Sequence, residues 1–500
     1  MSALSSEAQI AIIGAGTMGA GIAQVAAAAG HPVVLFDVVE GAAQRGIESI
    51  STGLAGLVSK GKKTQTEVDE LVARISPAQS LDSVKDSALV IEVIIEDLAI
   101  KRKVLADIEA LCSADTIIAS NTSSISISAL AAKLQRPEKV VGMHFFNPAA
   151  ILKLVEVVSG LQTDPGVAAT IYDTALAWGK KPVHAKSTPG FIVNRVARSF
   201  YAEALRSVTE QVASVATIDT LMRSCGSFKM GPLQLVDLIG QDVNCAVSQS
   251  VYAAYFQDKR FLPSVLQAEM VVAGLLGKKS GRGFYDYSQA TPEAEIAAKA
   301  DPVSKVKVVG KLYCADALLE LVKHSELELE YIEDGLPRIE VGEAVLQLTD
   351  GRTASQRAAE QCTSNLVLFD YALDYAACSH IGISAAVQAS DQALRDATGF
   401  FQSLGKHVCL LKDVPGIQVM RTVCMLINEA YDAVNQGVCD FAAVDIAMQA
   451  GVAYPRGPIA WSQEIGLQAV VQVLQNLQYA YGEERYRTSP LLLTEIHRND

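Results

Sequence analysis

A glycine-spaced turn, Gly14-Ala15-Gly16-Thr17-Met18-Gly19, sits near the head of this 500-residue chain and leaves few architectures open. Before it, Gln9 to Ile13 is a short apolar run that predicts a buried strand. After it, Ala20 to Ala29 is almost wholly Ala, Ile, Val and Gln, which favour helix, and Gly30 stops that helix. Val33 to Phe36 predicts a second strand, closed by Asp37. In this G-x-G-x-x-G pattern each glycine has a task. Gly14 permits the tight turn, Gly16 lets the backbone approach a pyrophosphate, and Gly19 lets the helix pack close to the strand. The helix start, through Thr17 and Met18, turns free N–H groups toward the phosphates. Asp37, eighteen residues after Gly19, can accept hydrogen bonds from both ribose hydroxyls and would repel a 2′-phosphate, so NAD is favoured over NADP. The motif alone also marks ordinary glycine-rich turns. Here strand, turn, helix, strand and acid fall in order, which points to dinucleotide binding; FAD fits the same residues.

The same alternation continues. Strands are predicted at Leu89 to Ile95, Thr116 to Ala119, Val140 to Met143, Leu154 to Val158 and Pro182 to Ala185. Helices are predicted at Gly41 to Lys60, Thr66 to Ile75, Leu98 to Leu111 and Ser126 to Leu134. Such alternation predicts a mainly parallel, doubly wound α/β sheet over residues 7–186. At Lys186-Ser187-Thr188-Pro189-Gly190 the pattern changes. Thr188 reads as an N-cap and Pro189 as a first helical residue. Ile192, Val196, Phe200 and Ala204 then form one apolar stripe, so an all-α domain is expected over 187–289. Residues from about Ala290 to Lys305 read as a linker.

An internal repeat follows. At an offset of 226, Pro189 meets Pro415, Gly190 meets Gly416, Arg195 meets Arg421 and Glu203 meets Glu429. Asp219 and Asp445, Gly231 and Gly457, Pro232 and Pro458, and Gly240 and Gly466 extend the match without a gap. A period this long marks a duplicated domain rather than a solenoid. The second helical copy is expected over 411–500. Residues 306–410, with strand-like runs at Leu366 to Phe369 and Val408 to Leu411, read as a reduced α/β segment without a nucleotide loop.

Composition excludes several classes. Forty-two basic against 55 acidic residues leave a net charge of −13, so no basic footprint for nucleic acid is expected. Any anionic ligand must then find a local basic site. No run of eighteen apolar residues predicts a membrane helix, and Met1 to Ala8 shows no leader pattern. Nine scattered cysteines without a C-x-x-C pair suit reduced thiols in the cytoplasm.

Three clusters can carry chemistry. Ser120-Asn121-Thr122-Ser123-Ser124 follows a predicted strand, where ligands of open parallel sheets sit; a capping loop for the next helix reads equally well. His144-Phe145-Phe146-Asn147-Pro148 follows another strand, and Glu156 lies twelve residues on, flanked by Leu and Val. A buried acid needs a partner. A His–Glu pair would let Glu156 fix the imidazole tautomer and His144 act as general base, although a lone His is more often structural. Asn194 points about 200° away from the apolar stripe, and its counterpart at 420 is Met. No His or Cys pair has metal spacing, Ser123 lacks a G-x-S-x-G setting, and His184 and His407 read as structural.

Together these motifs resemble the L-3-hydroxyacyl-CoA dehydrogenase family. The resemblance rests on Gly14 to Gly21, Ser120 to Ser124, His144 to Pro148, Thr188 to Arg195 and Lys278 to Tyr285, in order and spacing. It covers about residues 8–287 plus the second helical copy. It implies a Rossmann-type sheet, then a helical domain, a reduced α/β segment and a second helical copy. It also implies NAD as cofactor, an acyl-CoA thioester as substrate and a long, two-copy form like those acting on 3-hydroxybutyryl-CoA or 3-hydroxyadipyl-CoA. His144 would take the hydroxyl proton, Glu156 would orient it, and Ser123 and Asn194 would hold substrate oxygens. Glu96, Lys101 and Lys279 look like further NAD contacts. Lys60 looks like a lysine near the CoA phosphates, or an ordinary solvated helix end. One active site per chain is expected, with an internal pseudo-dimer of helical copies, a homo-oligomer remaining open. A free hydroxy-acid or sugar-acid dehydrogenase and a non-catalytic protein on the same scaffold are the competing readings, and no residues remain for a fused hydratase.

Overall fold

The structure, a computed structural model, describes residues 2–498. Met1, at the head of the segment read for a leader, and Asn499 and Asp500, at the end of the second helical copy, lie outside them. The chain forms two compact units: Met1–Arg195 with Gln436–Val452, and Val196–Asn435 with Ala453–Asp500.

In the first unit the apolar runs assemble into an eight-stranded sheet. Its strands are Ile10–Ile13 (β1), Val33–Phe36 (β2), Ile75–Pro77 (β3), Leu89–Glu92 (β4), Ile117–Ser120 (β5), Val140–Phe145 (β6), Leu154–Ser159 (β7) and Lys181–Lys186 (β8). They lie in the order β3-β2-β1-β4-β5-β6-β7-β8. Neighbours are parallel except β6 and β7, which are antiparallel. Strand order reverses between β1 and β4, where open α/β sheets place their ligand crevice. Ile10, Ile12, Leu35, Ile91 and Val141 are wholly buried under the crossover helices.

The turn after β1 has the geometry its glycines predict. Gly14 has φ +111°, and a Cβ there would lie 2.5 Å from the Val93 carbonyl oxygen. At Gly19 a Cβ would lie 1.8 Å from the Gly14 carbonyl oxygen. Around Gly16 there is open space.

Three local expectations change. Strand β4 ends at Glu92, not Ile95, because the Glu92 carboxylate accepts the Ile94 N–H at 2.7 Å and turns the chain out of the sheet. The helix predicted to Ile75 spans Gln65–Ala73, and Ile75–Pro77 pairs with β2 as a strand. Its start holds a reciprocal capping box between Thr64 and Glu67. The helix predicted from Pro189 begins at Val193 instead. Thr188 does not cap it; Thr188-Pro189-Gly190 leads into a turn with Gly190 at φ +76°. The acceptor comes from another strand: Glu156 Oε1 receives the N–H groups of Ile192 and Val193 at 2.9 and 3.0 Å.

The second unit contains a seven-stranded mixed sheet. Its strands are Lys305–Val309 (β9), Glu328–Ile332 (β10), Arg338–Val341 (β11), Ala344–Leu348 (β12), Leu366–Phe369 (β13), His380–Ala385 (β14) and His407–Leu410 (β15). Their order is β10-β9-β11-β12-β13-β14-β15. Only β13 and β15 are visible as apolar runs; β10 is largely exposed and rich in Glu, which hides its pairing with β9.

The helical repeat keeps its register. Helices Val215–Ser224, Pro232–Ile239 and Gln241–Ala254 have counterparts Phe441–Val452, Pro458–Ile465 and Leu467–Tyr481. The offset also carries β6, β7 and β8 onto β13, β14 and β15. Within the first unit the Lys186 N–H donates to the Val438 carbonyl at 2.8 Å, and within the second the Lys412 N–H donates to the Val212 carbonyl at 3.0 Å. These two bonds join equivalent residues in reciprocal fashion. In the second unit the helix Arg198–Thr209 packs along Val419–Asn435. Arg421 is buried there against Glu203, Nε to Oε2 3.1 Å.

Candidate active site

The antiparallel register of β6 and β7 places His144 directly opposite Glu156. Residues so opposed share one face of a sheet and meet. His144 Nδ1 lies 2.6 Å from Glu156 Oε2, with His144 5 % exposed and Glu156 wholly buried. The other oxygen of Glu156 caps the helical turn Val193–Val196. One carboxylate thus has three donors, which meets the cost of burying it. An ionised carboxylate only accepts, so Nδ1 carries the proton and Nε2 keeps its lone pair. Phe146 and Phe191 wall the imidazole, at ring-centroid distances of 4.5 and 5.8 Å. Asn194, half-buried, lies on the helical turn that Glu156 caps.

The polar run after β5 is organised by Glu96. Its Oε1 accepts the Thr122 hydroxyl at 2.5 Å, the Ser123 and Ser124 N–H groups at 3.1 Å each, and the Ser124 hydroxyl at 2.9 Å. Burial alone would raise the Glu96 pKa. Hydrogen bonds from Thr122 and Ser124 and the Lys101 ammonium outweigh it, and the carboxyl sits below its ordinary value. Lys101, expected beside the cofactor, is 1 % exposed. Its ammonium lies 2.6 Å from Glu92 and 3.2 Å from Glu96, because two acids there need a counter-charge. It therefore meets the Ser123 loop through Glu96. Ser123 is half-buried at the middle of that loop. Ser126 caps the next short helix, Ile127–Ala131.

Sequence reasoning missed three supports. Asn121 Oδ1 accepts the Phe145 N–H at 2.8 Å and ties the polar loop to the end of β6. Glu92 gathers Ser120, Ile94 and Lys101 beneath the loop. Lys180, 5 % exposed, donates its ammonium to the Ala149 and Leu152 carbonyls and so holds the chain between His144 and Glu156. Asn121 stands within the polar run Ser120 to Ser124; the other two are long-range partners with no local signature.

The glycine turn lines a cavity of about 510 Å³ with Ala15, Gly16, Thr17, Asp37, Arg45 and Asn147. Asp37 accepts the Ala15 N–H at 2.7 Å and the Val39 N–H at 2.9 Å, one on each oxygen. Each oxygen retains acceptor capacity for a hydroxyl. The helix Thr17–Ala28 has no side-chain cap, so its first N–H groups remain for a phosphate. A Cβ at Gly16 would project into the open cradle, which fits a pyrophosphate resting on the backbone. Lys60 is exposed in the turn after the helix Ala42–Val58. Lys279 lies in the second unit, half-exposed, 2.5 Å from Asp242.

The repeat lacks this pair. The counterparts of His144 and Glu156 are Asp370 and Gly382, joined only by a backbone bond of 2.9 Å from the Asp370 N–H to the Gly382 carbonyl. Asp370, from the His position, now caps the helix that Glu156 caps in the first copy: it accepts the N–H groups of Gln418, Val419 and Met420 at 3.1, 2.7 and 3.0 Å. Phe191, at φ 45°, and its counterpart Ile417, at φ 55°, both adopt the left-handed backbone. That strain belongs to the turn and not to the chemistry.

Known proteins are similar to this chain. The 3-hydroxyacyl-CoA dehydrogenase NAD binding domain matches residues 9–188, and the corresponding C-terminal domain matches 190–287 and 416–499. The 3-hydroxybutyryl-CoA dehydrogenase reduced Rossmann-fold domain matches 346–415. The chain is 44% identical over 483 residues to a 3-hydroxyadipyl-CoA dehydrogenase of Escherichia coli K12, covering 97% of this chain and 96% of that one. It is 42% identical over 283 residues to a probable 3-hydroxybutyryl-CoA dehydrogenase of Bacillus subtilis 168, covering 57% and 98%. A crystal structure of 3-hydroxybutyryl-CoA dehydrogenase from Escherichia coli K12 matches with a TM-score of 0.89 at 41% identity, covering 99% of each chain.

Proposed function

The chain belongs to the 3-hydroxyacyl-CoA dehydrogenase family, and from that premise we propose how its residues carry the NAD-dependent oxidation of an (S)-3-hydroxyacyl-CoA to the 3-ketoacyl-CoA. NAD, when bound, supplies the hydride acceptor. Gly14, Gly16, Thr17, Met18 and Gly19 would hold its pyrophosphate, and Asp37 its adenosine ribose. Glu96 shapes the Ser123 loop beside it, Lys101 acts through Glu96, and Lys279 is a further contact. His144 takes the C3 hydroxyl proton at Nε2 as the C–H bond breaks. Glu156 fixes the tautomer and faces the imidazolium that forms. Ser123 and Asn194 hold the substrate oxygens, and Lys60 meets the CoA phosphates.

The observation that carries this reading is the buried 2.6 Å contact between His144 and Glu156 at the end of β6. Replacing His144 by Gln removes the base while keeping the fold. Turnover with a 3-hydroxyacyl-CoA, followed by NADH absorbance, should fall about 1,000-fold, with NAD affinity nearly unchanged by fluorescence titration. Near-normal turnover would refute the role.

One active site per chain follows from Asp370, Gly382 and Met420, which stand where His144, Glu156 and Asn194 stand in the first copy. The two helical copies act as an internal pseudo-dimer, a reading supported by the reciprocal Lys186–Val438 and Lys412–Val212 bonds. Residues 7–186 serve as the NAD-binding domain, 187–289 and 411–500 as the helical copies, and 306–410 as the reduced segment. A cytoplasmic setting is supported by nine cysteines, all free. Among the described residues no helix is long and apolar enough to cross a membrane.

A further inference from the structure

The cavity at the glycine turn of the first unit is lined by one acid, Asp37, and one base, Arg45. In a chain of net charge −13 an anionic ligand depends on such a local base. Arg45 comes from the helix Ala42–Val58, which lines the cavity with Ala42, Arg45, Gly46, Ser49 and Ile50. Spacings of three and four put those residues on one helical face. Gly46 lets that face lie close to the turn, since a Cβ there would lie 3.2 Å from the Ala15 carbonyl oxygen. Arg45 is the one charged side chain on it.

The Arg45 side chain bends back toward the start of its helix, as helical side chains do. Its Nη1 donates to the Glu40 carbonyl at 3.3 Å. Gly41, at φ +72°, leaves room for it; a Cβ there would lie 2.9 Å from Nη1. Asp37 is tied to the same turn, 37–41, because its Oδ1 accepts the Val39 N–H at 2.9 Å. Acid and base are thus fastened to one short stretch of backbone. Among the described residues the Arg45 guanidinium makes this single hydrogen bond, to a neutral acceptor, and no ion pair. The rest of its five-donor fork is open, and that fork matches a phosphate.

A dinucleotide offers such a fork two phosphate positions. The pyrophosphate has its own donors, the N–H groups of the glycine turn and of the helix start. A 2′-phosphate has none of these. It would stand on the ribose hydroxyl that Asp37 accepts, beside the turn on which Arg45 is held. An arginine near that acid is how a dinucleotide-binding sheet accommodates a 2′-phosphate. We propose that Arg45 is a receptor for the 2′-phosphate of NADP, opposed by Asp37. The preference for NAD is then the difference between a repelling carboxylate and an attracting guanidinium, and NADP is a second, weaker cofactor. The assignment rests on the ribose role given above to Asp37.

The test compares the affinities of the full chain for NADPH and NADH, which differ only in the 2′-phosphate, by fluorescence titration. Low ionic strength is needed, because salt screens an exposed charge contact. In Arg45→Gln the ratio of NADPH to NADH affinity should fall about 10-fold, the worth of one charge-assisted phosphate contact. Arg45→Lys keeps the charge but loses the fork, so its ratio should fall about 3-fold. Asp37→Asn removes the repulsion, and its ratio should rise at least about 10-fold. Adding Arg45→Gln to Asp37→Asn should take back about 10-fold. The ratio of kcat/KM for NADP and NAD should follow the same order. A ratio unmoved by Arg45→Gln in both backgrounds would overturn the assignment while leaving the dehydrogenase reading intact. Equal loss of both nucleotides would do the same, since it would put Arg45 at the pyrophosphate. A wild type that binds neither nucleotide would end the two readings together.

Discussion

The carboxylate of Glu156 has two separable duties. Oε2 orients His144, and Oε1 caps the turn that carries Asn194. Glu156→Gln separates them. With its amide oxygen toward the Ile192 and Val193 N–H groups, its NH₂ must face His144. The imidazole then accepts at Nδ1 and is protonated at Nε2, the wrong atom for a base. We expect kcat to fall at least 100-fold with little change in melting temperature. Glu156→Ala loses both duties and should also lose about 1–3 kcal/mol of stability, because two buried N–H groups lose their acceptor. Stopped-flow NADH kinetics beside thermal melts reads both; a Gln variant with wild-type kcat would show that the tautomer does not matter. The spacing of twelve between His144 and Glu156 made this pair legible, since a buried acid on a strand needs a partner. The cap was not legible. It joins residues 36 positions apart, and Thr188-Pro189 offered a locally plausible start that the turn at Gly190 displaces.

At the scale of elements, the same helix start appears twice and is capped from different strands. In the first copy the acid comes from β7; in the second it comes from the end of β13, where Asp370 has four backbone donors: Tyr371, Gln418, Val419 and Met420. Burial pushes the Asp370 carboxyl up to about 6, with those N–H groups opposing. The native state therefore binds this proton more tightly than the unfolded chain. Its contribution is fully present below about pH 4 and is lost as pH rises through about 6. Between pH 5 and pH 8 wild-type stability should lose about 1–2 kcal/mol from this group. Asp370→Asn does not titrate, so the wild-type advantage over it should shrink by that amount across the same range in urea unfolding. A constant difference would deny Asp370 its raised pKa. The sheets show the same divide between local and distant signals. Strands of the first unit were visible because parallel, doubly covered strands are continuous apolar runs. Largely exposed β10 and half-buried β11 carry Glu and Arg on their open faces, which hides them as strands in the sequence.

The whole molecule depends on how its two halves of sequence meet. The 226-residue offset told which residues correspond, but not which touch. Glu203 corresponds to Glu429 and Arg421 to Arg195, and one buried contact in the second unit is a cross pair, Arg421 with Glu203. Both side chains are 0 % exposed. Arg421 also donates to the Ser207 hydroxyl at 2.6 Å and the Tyr481 hydroxyl at 2.8 Å, while the Tyr486 hydroxyl donates to Glu203 at 3.0 Å. Residues from the two copies, more than 200 positions apart, thus share one polar network in an apolar seam. Desolvation makes such a pair a weak net stabiliser when whole, but removing one member leaves a buried charge with only its weaker partners, Glu203 with Arg485 at 3.8 Å or Arg421 with Glu210 at 3.3 Å. Arg421→Met should therefore cost about 3–5 kcal/mol, and Glu203→Gln a comparable amount. The double variant should cost clearly less than their sum, because the second change removes the charge that the first left under-compensated. Urea unfolding of the four proteins measures the coupling directly. If the two costs simply add, the copies are held by the surrounding apolar contacts and the ion pair is incidental.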